Sequence, residues 1–317
     1  MQVITDINPA PWPDERTVVT IGAYDGVHVG HQAVIEQVRS IADESDAKSV
    51  VLTFDRHPAT VVRPESAPQL LTDSEQRLEL LATTGLGATV VLPFDEEQSH
   101  ESPESFVQRV LVDGLRVRTI VVGEDFHFGA HRRGHVDLLE KMGRTNDFDV
   151  RPIHLVERLD GVSEPISSTA IRRALAGGDV TRASSMLGRY HEVRGEVMMG
   201  DQRGRLLGFP TANVKVPKSV CMPADGVYAG WFERADGREY PCAINLGRRP
   251  TFYEHAQSSL LEAHLLDFDD DLYGEHVKVR FAHFLRSERK FDGIEAIVAQ
   301  LKVDVQHARD LLAASAG

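Results

Sequence analysis

Two histidines three residues apart, closing a glycine-rich turn, carry the strongest chemical signal in the chain. They lie in Thr20-Ile-Gly-Ala-Tyr-Asp-Gly-Val-His-Val-Gly-His31. Val18 to Ile21 reads as a buried strand, and a helical pattern starts near His31. His28 and His31 therefore sit where strand gives way to helix. Backbone N–H groups at a helix start lack intrahelical partners, and the helix dipole favours an anion there. Gly22, Gly26 and Gly30 allow a tight turn and close approach to a ligand. Imidazoles at i and i+3 share a helical face and can reach one phosphate. Two nitrogen donors beside a phosphorus stabilise the charge that builds during transfer to or from it. The plain alternative is a strand–turn–helix corner with two surface histidines.

Further stretches could serve the same or a related chemistry. In Ile166-Ser-Ser-Thr-Ala-Ile-Arg172, Ser167 or Ser168 can cap a helix running to Ala176. Free N–H groups, the hydroxyls and Arg172 would form a second phosphate cradle; an ordinary capped helix is the alternative. In Gly208-Phe-Pro-Thr-Ala-Asn213, Pro210 fixes one φ, and Thr211 and Asn213 share a face if extended. A hydroxyl and an amide oxygen suit a hard cation such as Mg²⁺, whereas a β-turn with a polar tip is the bland reading. Glu262 stands among apolar neighbours in Ser259–Leu266, either as a solvated residue or as a positioned base. Its face also holds Leu260 and His264, so the pattern does not decide. Phe126 to His135 carries His127, His131, Arg132, Arg133 and His135. Gly129 and Gly134 break the helix that metal-ligand spacing would need, which favours a mobile basic loop over a bound nucleotide, or a solvated loop, over a metal site.

Elements must hold these residues. Apolar runs recur at Val18–Ile21, Val50–Phe54, Thr89–Leu92, Thr119–Val122 and Phe148–Ile153. Helical patterns fall at Gln32–Ala42, Ser74–Thr83, Ser105–Asp113 and His135–Met142. The alternation predicts an α/β, doubly wound parallel sheet with ligands beyond the strands' carboxyl ends. The histidine corner, Asp55-Arg56-His57-Pro58 and Gly123-Glu-Asp-Phe-His-Phe-Gly129 all follow such ends. Gly177 to Gly188 reads as a helical hairpin or linker, with a boundary near Leu187. Beyond it, Val193–Met199, Gly226–Phe232, Glu239–Ile244, Ser259–Leu265 and His276–Phe281 predict a small antiparallel β-barrel of about six strands. Gly293 to Leu312 reads as a closing C-terminal helix. The two modules thus span 1–187 and 188–317.

Composition narrows the classes. With 317 residues there is room for two domains, and a net charge of −13 disfavours a nucleic-acid surface. The cysteines, Cys221 and Cys242, form no C-x-x-C pair, which fits a reduced, cytoplasmic protein. No signal peptide and no membrane-length apolar run are expected. Neither G-x-x-x-x-G-K-[ST] nor a strand-borne G-x-G-x-x-G occurs. Self-association is left open.

G-x-Y-D-G-V-H-x-G-H-Q at 22–32, I-S-S-T-x-I-R at 166–172 and G-F-P-T-A-N at 208–213 together resemble the bacterial bifunctional riboflavin kinase/FAD synthetase family. The resemblance covers nearly the whole chain. It implies a nucleotidylyltransferase module in which His28 and His31 contact ATP phosphates, with Gly22, Asp25 and Gly30 in the same motif. Ser168, Thr169 and Arg172 match a second phosphate-binding motif, and Asp125 and Phe128 lie in a loop near flavin and nucleotide. In the second module it implies nucleotide contact at Gly208, a Mg²⁺ seat at Thr211 and Asn213, and Glu262 as the base for the ribityl 5′-hydroxyl of riboflavin. Asn245-Leu-Gly-Arg-Arg-Pro-Thr251 fits as structural and substrate-lining. Two departures stand out: Tyr24 replaces a usual Phe, and Ala59-Thr-Val-Val62 lacks the aromatic that relatives often carry after His57-Pro58. The implied substrates and products are riboflavin, ATP, FMN and FAD. Rivals are another nucleotidylyltransferase, an aminoacyl-tRNA synthetase relative, and a flavin carrier without turnover. The second module, the acidic charge and the full residue set, respectively, speak against them.

Overall fold

A computed structural model describes residues 1–153, 165–200, 204, 207–247 and 260–315. The chain divides into two compact units, one formed by 1–68 and 73–167, the other by 69–72 and 168–317.

The first unit is a six-stranded sheet built from β1 (Gln2–Ile4), β2 (Thr17–Ile21), β3 (Lys48–Phe54), β4 (Ala88–Leu92), β5 (Val117–Gly123) and β6 (Asp149–Ile153). Their order is β1-β4-β3-β2-β5-β6, and every neighbouring pair is parallel. β2 is buried along its whole length, as expected of a central parallel strand covered on both faces. Alternate residues feed two cores. Val18, Val51 and Val121 pack with Ile35, Val38 and Leu81 from helices Val29–Glu44 and Ser74–Ala82. Val19, Val50 and Ile120 pack on the opposite side with Phe106, Val110 and Leu139. The doubly wound prediction therefore holds. From β2 the chain moves to β3 and β4 on one side, then returns to β5 and β6 on the other. The loops after β2 and β5 thus flank the point where strand order reverses, which is where open α/β sheets bind ligands.

The second unit is a closed barrel of β7 (His191–Met198), β8 (Ala212–Lys215), β9 (Gly226–Glu233), β10 (Glu239–Gly247), β11 (Leu260–Leu265) and β12 (His276–Arg286), ordered β10-β11-β8-β7-β12-β9. All its pairs are antiparallel. Helix Ile294–Ser315 covers Ala229, Ala243 and Ala282 through Ala308 and Leu312. Helices Ser168–Ala176 and Val180–Leu187 belong to this unit. So does the excursion 69–72. Leu70 donates to Ser219 O at 2.6 Å and accepts from Cys221 N–H at 2.7 Å, while Gln69 O accepts from Arg172 Nε at 2.6 Å.

Three elements differ from expectation. β1 is a three-residue edge strand with no apolar run to announce it. β8 begins inside the stretch read only as an interruption of the barrel. The helix expected at Ser105–Asp113 starts at Pro103, capped by Ser102, and widens into a π-helical segment over Val107–Gly114. Arg248 to Thr251 and Ser259 lie outside the described residues.

Candidate active site

The histidine corner is held by a strained turn. Tyr24, Gly26 and Val27 all have positive φ, at 51°, 86° and 38°. For β-branched Val27 that backbone is unfavourable, and such strain tends to collect at functional sites. Its carbonyl accepts from Gln32 Nε2 at 2.9 Å and its N–H donates to Tyr24 O at 3.2 Å, which keeps the turn closed. His28 is the N-cap of helix Val29–Glu44. Its Nδ1 accepts from His31 N–H at 3.2 Å. An accepting Nδ1 places the neutral ring's proton on Nε2. Gly30 makes room for this: a Cβ there would lie 3.2 Å from His28 Nδ1 and 3.4 Å from Ile166 O. Ile166, near the end of the first unit, thus lies against the histidine corner.

The two imidazoles stack, with ring centroids 3.6 Å apart, and Tyr24 tilts against His31 at 4.7 Å. Tyr24 is buried and shares a hydrogen bond with Thr20 Oγ1 at 2.8 Å; burial pushes its phenol well up. His28 is buried and His31 half-buried. Burial, reinforced by His28, holds the His31 pKa well below its ordinary value. His31 is therefore held neutral. His31 Nδ1 is buried and has no hydrogen-bond partner. Such an orphan costs about 1–3 kcal/mol unless a ligand satisfies it. Asp25 is buried in the same turn.

A cavity of about 980 Å³ opens beside this corner, within the first unit. Gly22 and Phe128 line it; His28 and His31 do not. Phe54 and Phe94 meet edge-on at 5.2 Å, while Phe126 and Phe128 stack at 5.5 Å. Basic groups on the lining include Arg63, Arg132, His57 and His131. Asp125 is exposed in the loop after β5. This loop closes on itself through paired Phe128 and Gly134 backbone bonds at 3.1 and 2.9 Å. Gly129, at φ 68°, lies so close to Pro103 that a Cβ would fall 2.7 Å from Pro103 Cγ. His131 sits in a three-residue 3-10 turn, Ala130–Arg132, and His135 caps the next helix, so the histidines do not share an α-helical face. Sequence reasoning did not find Phe54, Phe94 and Phe106. Their positions at strand and helix ends, ahead of the polar loops, were the available signal.

Ser168 is half-buried and Thr169 exposed in the first turn of helix Ser168–Ala176. Arg172, half-buried one turn on, donates to Gln69 O as described. All three belong to the second unit, whereas His28 and His31 belong to the first.

In the barrel, Leu261, Ala263 and Leu265 are buried, which sends Glu262 and His264 to the outer face. There Glu262 stands directly opposite Asn213 on β8 and Asn245 on β10. Directly opposed residues on antiparallel strands have Cβ atoms about 5 Å apart. Asn213 Oδ1 is buried with no hydrogen-bond partner. A Cβ at Gly200 would collide with the Asn213 amide, so that backbone closes over it. Thr211 precedes β8 on the Asn213 face, and a Cβ at Gly204 would lie 3.5 Å from its hydroxyl. His264 Nδ1 donates to Pro210 O at 2.8 Å and so ties the loop to β11. Gly208 is exposed, with φ 83° and open space where a side chain would be. The ambiguity about the face of Glu262 is resolved: it shares the face of Asn213 and Asn245. Asn245, given only a lining role from sequence, completes a polar row of three.

Two family models match the chain. Residues 10–170 match the FAD synthetase family model and residues 187–312 the riboflavin kinase model. Proteins described as bifunctional riboflavin kinase/FMN adenylyltransferase are similar along their whole length. The chain is 40% identical to that of Pseudomonas fluorescens over 305 residues, covering 96% of each chain. It is 37% identical to that of Listeria monocytogenes over 303 residues, covering 95% of this chain and 94% of the relative. For the Escherichia coli K12 protein the identity is 36% over 311 residues, with 98% and 97% covered. A crystal structure of a Streptococcus pneumoniae protein described as a macrolide-efflux protein matches with a TM-score of 0.84 at 30% identity, covering 97% of this chain and 98% of that one. Among the described residues, no helix is long and apolar enough to cross a membrane. Both matched regions, in this order and over nearly all its length, place the chain in the bifunctional riboflavin kinase/FMN adenylyltransferase family.

Proposed function

We propose that the chain carries out two consecutive ATP-dependent steps, riboflavin to FMN in the C-terminal module and FMN to FAD in the N-terminal one, with the functional boundary near Leu187. The observation that carries the kinase assignment is the Asn213–Glu262 juxtaposition beside a buried, unpartnered amide oxygen. Glu262 takes the proton of the riboflavin 5′-hydroxyl as that oxygen bonds to the γ-phosphorus of ATP and the bond to ADP breaks. Thr211 Oγ1 and Asn213 Oδ1 form a hard-oxygen set that fits Mg²⁺. When bound, the ion neutralises phosphate charge. Gly208, bare and turned sharply, leaves room for a phosphate against the backbone.

In the second step a phosphate oxygen of FMN attacks the α-phosphorus of ATP and pyrophosphate leaves. The Nε2–H of His28 and the half-buried ring of His31 stabilise the charge that builds on the phosphate oxygens. Gly22, Asp25 and Gly30 shape the turn around the nucleotide; the family motif alone proposes Ser168, Thr169 and Arg172 as phosphate ligands. The cavity suits a phosphorylated flavin, because it combines aromatic walls with basic groups. Phe128 and its neighbours supply the ring surface that the Ala59–Val62 stretch lacks, and Asp125 lies at the nucleotide edge. No covalent enzyme intermediate is involved; positioning and charge stabilisation carry the step.

Cys221 and Cys242 are buried and not joined in a disulfide, which supports residence in a reducing cytoplasm. The test is to incubate the full chain with riboflavin, ATP and Mg²⁺ and separate the flavins by chromatography. FMN followed by FAD is the expected product series. Riboflavin recovered unchanged, or a chain that binds flavin without turnover, would refute the proposal.

A further inference from the structure

Arg77 is buried, 7% exposed, in helix Ser74–Ala82, and no step above uses it. Its planar fork spans two strand ends. Nη1 donates to Ala23 O at 3.0 Å and Nη2 to Phe54 O at 2.6 Å. Ala23 follows β2 and Phe54 ends β3. The β2–β3 ladder stops at Ile21 and Leu52, with one further bond from Gly22 N–H to Leu52 O at 3.1 Å. Beyond that point the guanidinium joins the two segments, helped by Thr53 Oγ1 on Ala23 O at 3.2 Å. Gly22, Ala23 and Phe54 all line the 980 Å³ cavity. Burial works against the charge on Arg77; Asp25, two residues beyond Ala23, and Asp55, next to Phe54, sustain it. Nε is buried without a partner. A group selected for stability alone would satisfy that donor or be replaced by an apolar side chain, because buried orphans and buried charges are costly.

Resting on the adenylyl-transfer reading, we infer that Arg77 is a positioning residue for that step: it fixes the histidine turn against the β3 wall of the cavity. It touches neither nucleotide nor flavin. It sets the distance between the segment that leads to His28 and the wall that holds the acceptor. Lysine cannot replace it, since an ammonium is a point charge that cannot hold two carbonyls in one plane.

The experiment uses the full chain with Arg77→Lys and Arg77→Met, and measures kcat and KM for FMN formation and for FAD formation from supplied FMN. Melting temperature is measured for each variant, and FAD formation is assayed well below it. For Arg77→Lys, kcat for FAD formation should fall about 10- to 100-fold, because small misplacement of reacting groups lowers turnover steeply. KM for ATP should stay within about threefold, since the groups that hold the nucleotide remain. Arg77→Met should fall at least as far, and kinase kcat should hold in both. An FAD-forming kcat within about twofold of the parent, or a loss that follows the unfolded fraction, overturns the inference. A parent chain that makes no FAD from FMN and ATP would instead refute the underlying reading.

Discussion

Replacing His191 with glutamine should remove an acid-sensitive weakness from the barrel. His191 opens β7, is 1% exposed, and its Nε2 donates to Cys221 O at 2.8 Å. Burial pushes its pKa down to about 4 from an ordinary 6.5; Arg189 acts in the same direction and the Cys221 hydrogen bond opposes both. The folded chain thus holds the imidazole neutral where the unfolded chain binds a proton. Its contribution is intact above pH 6.5 and is lost as pH falls towards about 4. Each pH unit in that window costs about 1.4 kcal/mol, so the whole window is worth about 3 kcal/mol. Glutamine keeps an N–H near the Nε2 position and does not titrate. The assay is urea unfolding between pH 7 and pH 4, followed by Trp231 fluorescence in a Trp12→Phe background that removes the other tryptophan. The parent should lose about 3 kcal/mol more than His191→Gln across the range. If both lose stability in parallel to within about 1 kcal/mol, the buried neutral imidazole is not what makes the barrel acid-sensitive.

Three other outcomes follow from the two sites. Glu262→Gln and Asn213→Ala should lower kcat for FMN formation by about 100-fold or more while FAD formation from supplied FMN persists, as product chromatography would show. His28→Ala and His28→Asn should both suppress FAD formation. Only the alanine variant should also lose about 1 kcal/mol in urea unfolding, because asparagine is a good N-cap. Gly129→Ala should destabilise the first unit by more than about 1 kcal/mol, since φ 68° and contact with Pro103 both oppose a side chain; thermal unfolding followed through Trp12 would report it.

The central strands were legible because parallel strands covered on both faces are continuous apolar runs, as β2 and β3 are. β1 carries no such mark: its three residues run along an exposed edge. β8 is hidden because Pro210 and Thr211 precede it and its own four residues alternate. Glu262 was ambiguous because leucines occur in both phases around it, at 260, 261, 265 and 266. Only pairing with β8 and β10 fixes its face. The histidine corner was readable in type and place, yet not in state. That His28 caps its own helix and stacks on His31 depends on the positive-φ turn, and no spacing rule shows this. In sequence Arg77 is one charge among the glutamates of its helix. Its role depends on two carbonyls at distant points in the sequence.

The excursion at residues 69–72 bears on any attempt to take the enzyme apart. The barrel's polypeptide is not one contiguous stretch. A gene cut after codon 167 or 187 gives a C-terminal product in which Ser219 and Cys221 have lost Leu70, and one lacking Arg172 or its carbonyl partner at Gln69. The matching N-terminal product bares Leu71 and Thr72, which are buried in the whole chain. Dissection will succeed best where the short strap travels with the barrel, for instance as a grafted peptide or through a circular permutation that keeps 69–72 joined to it.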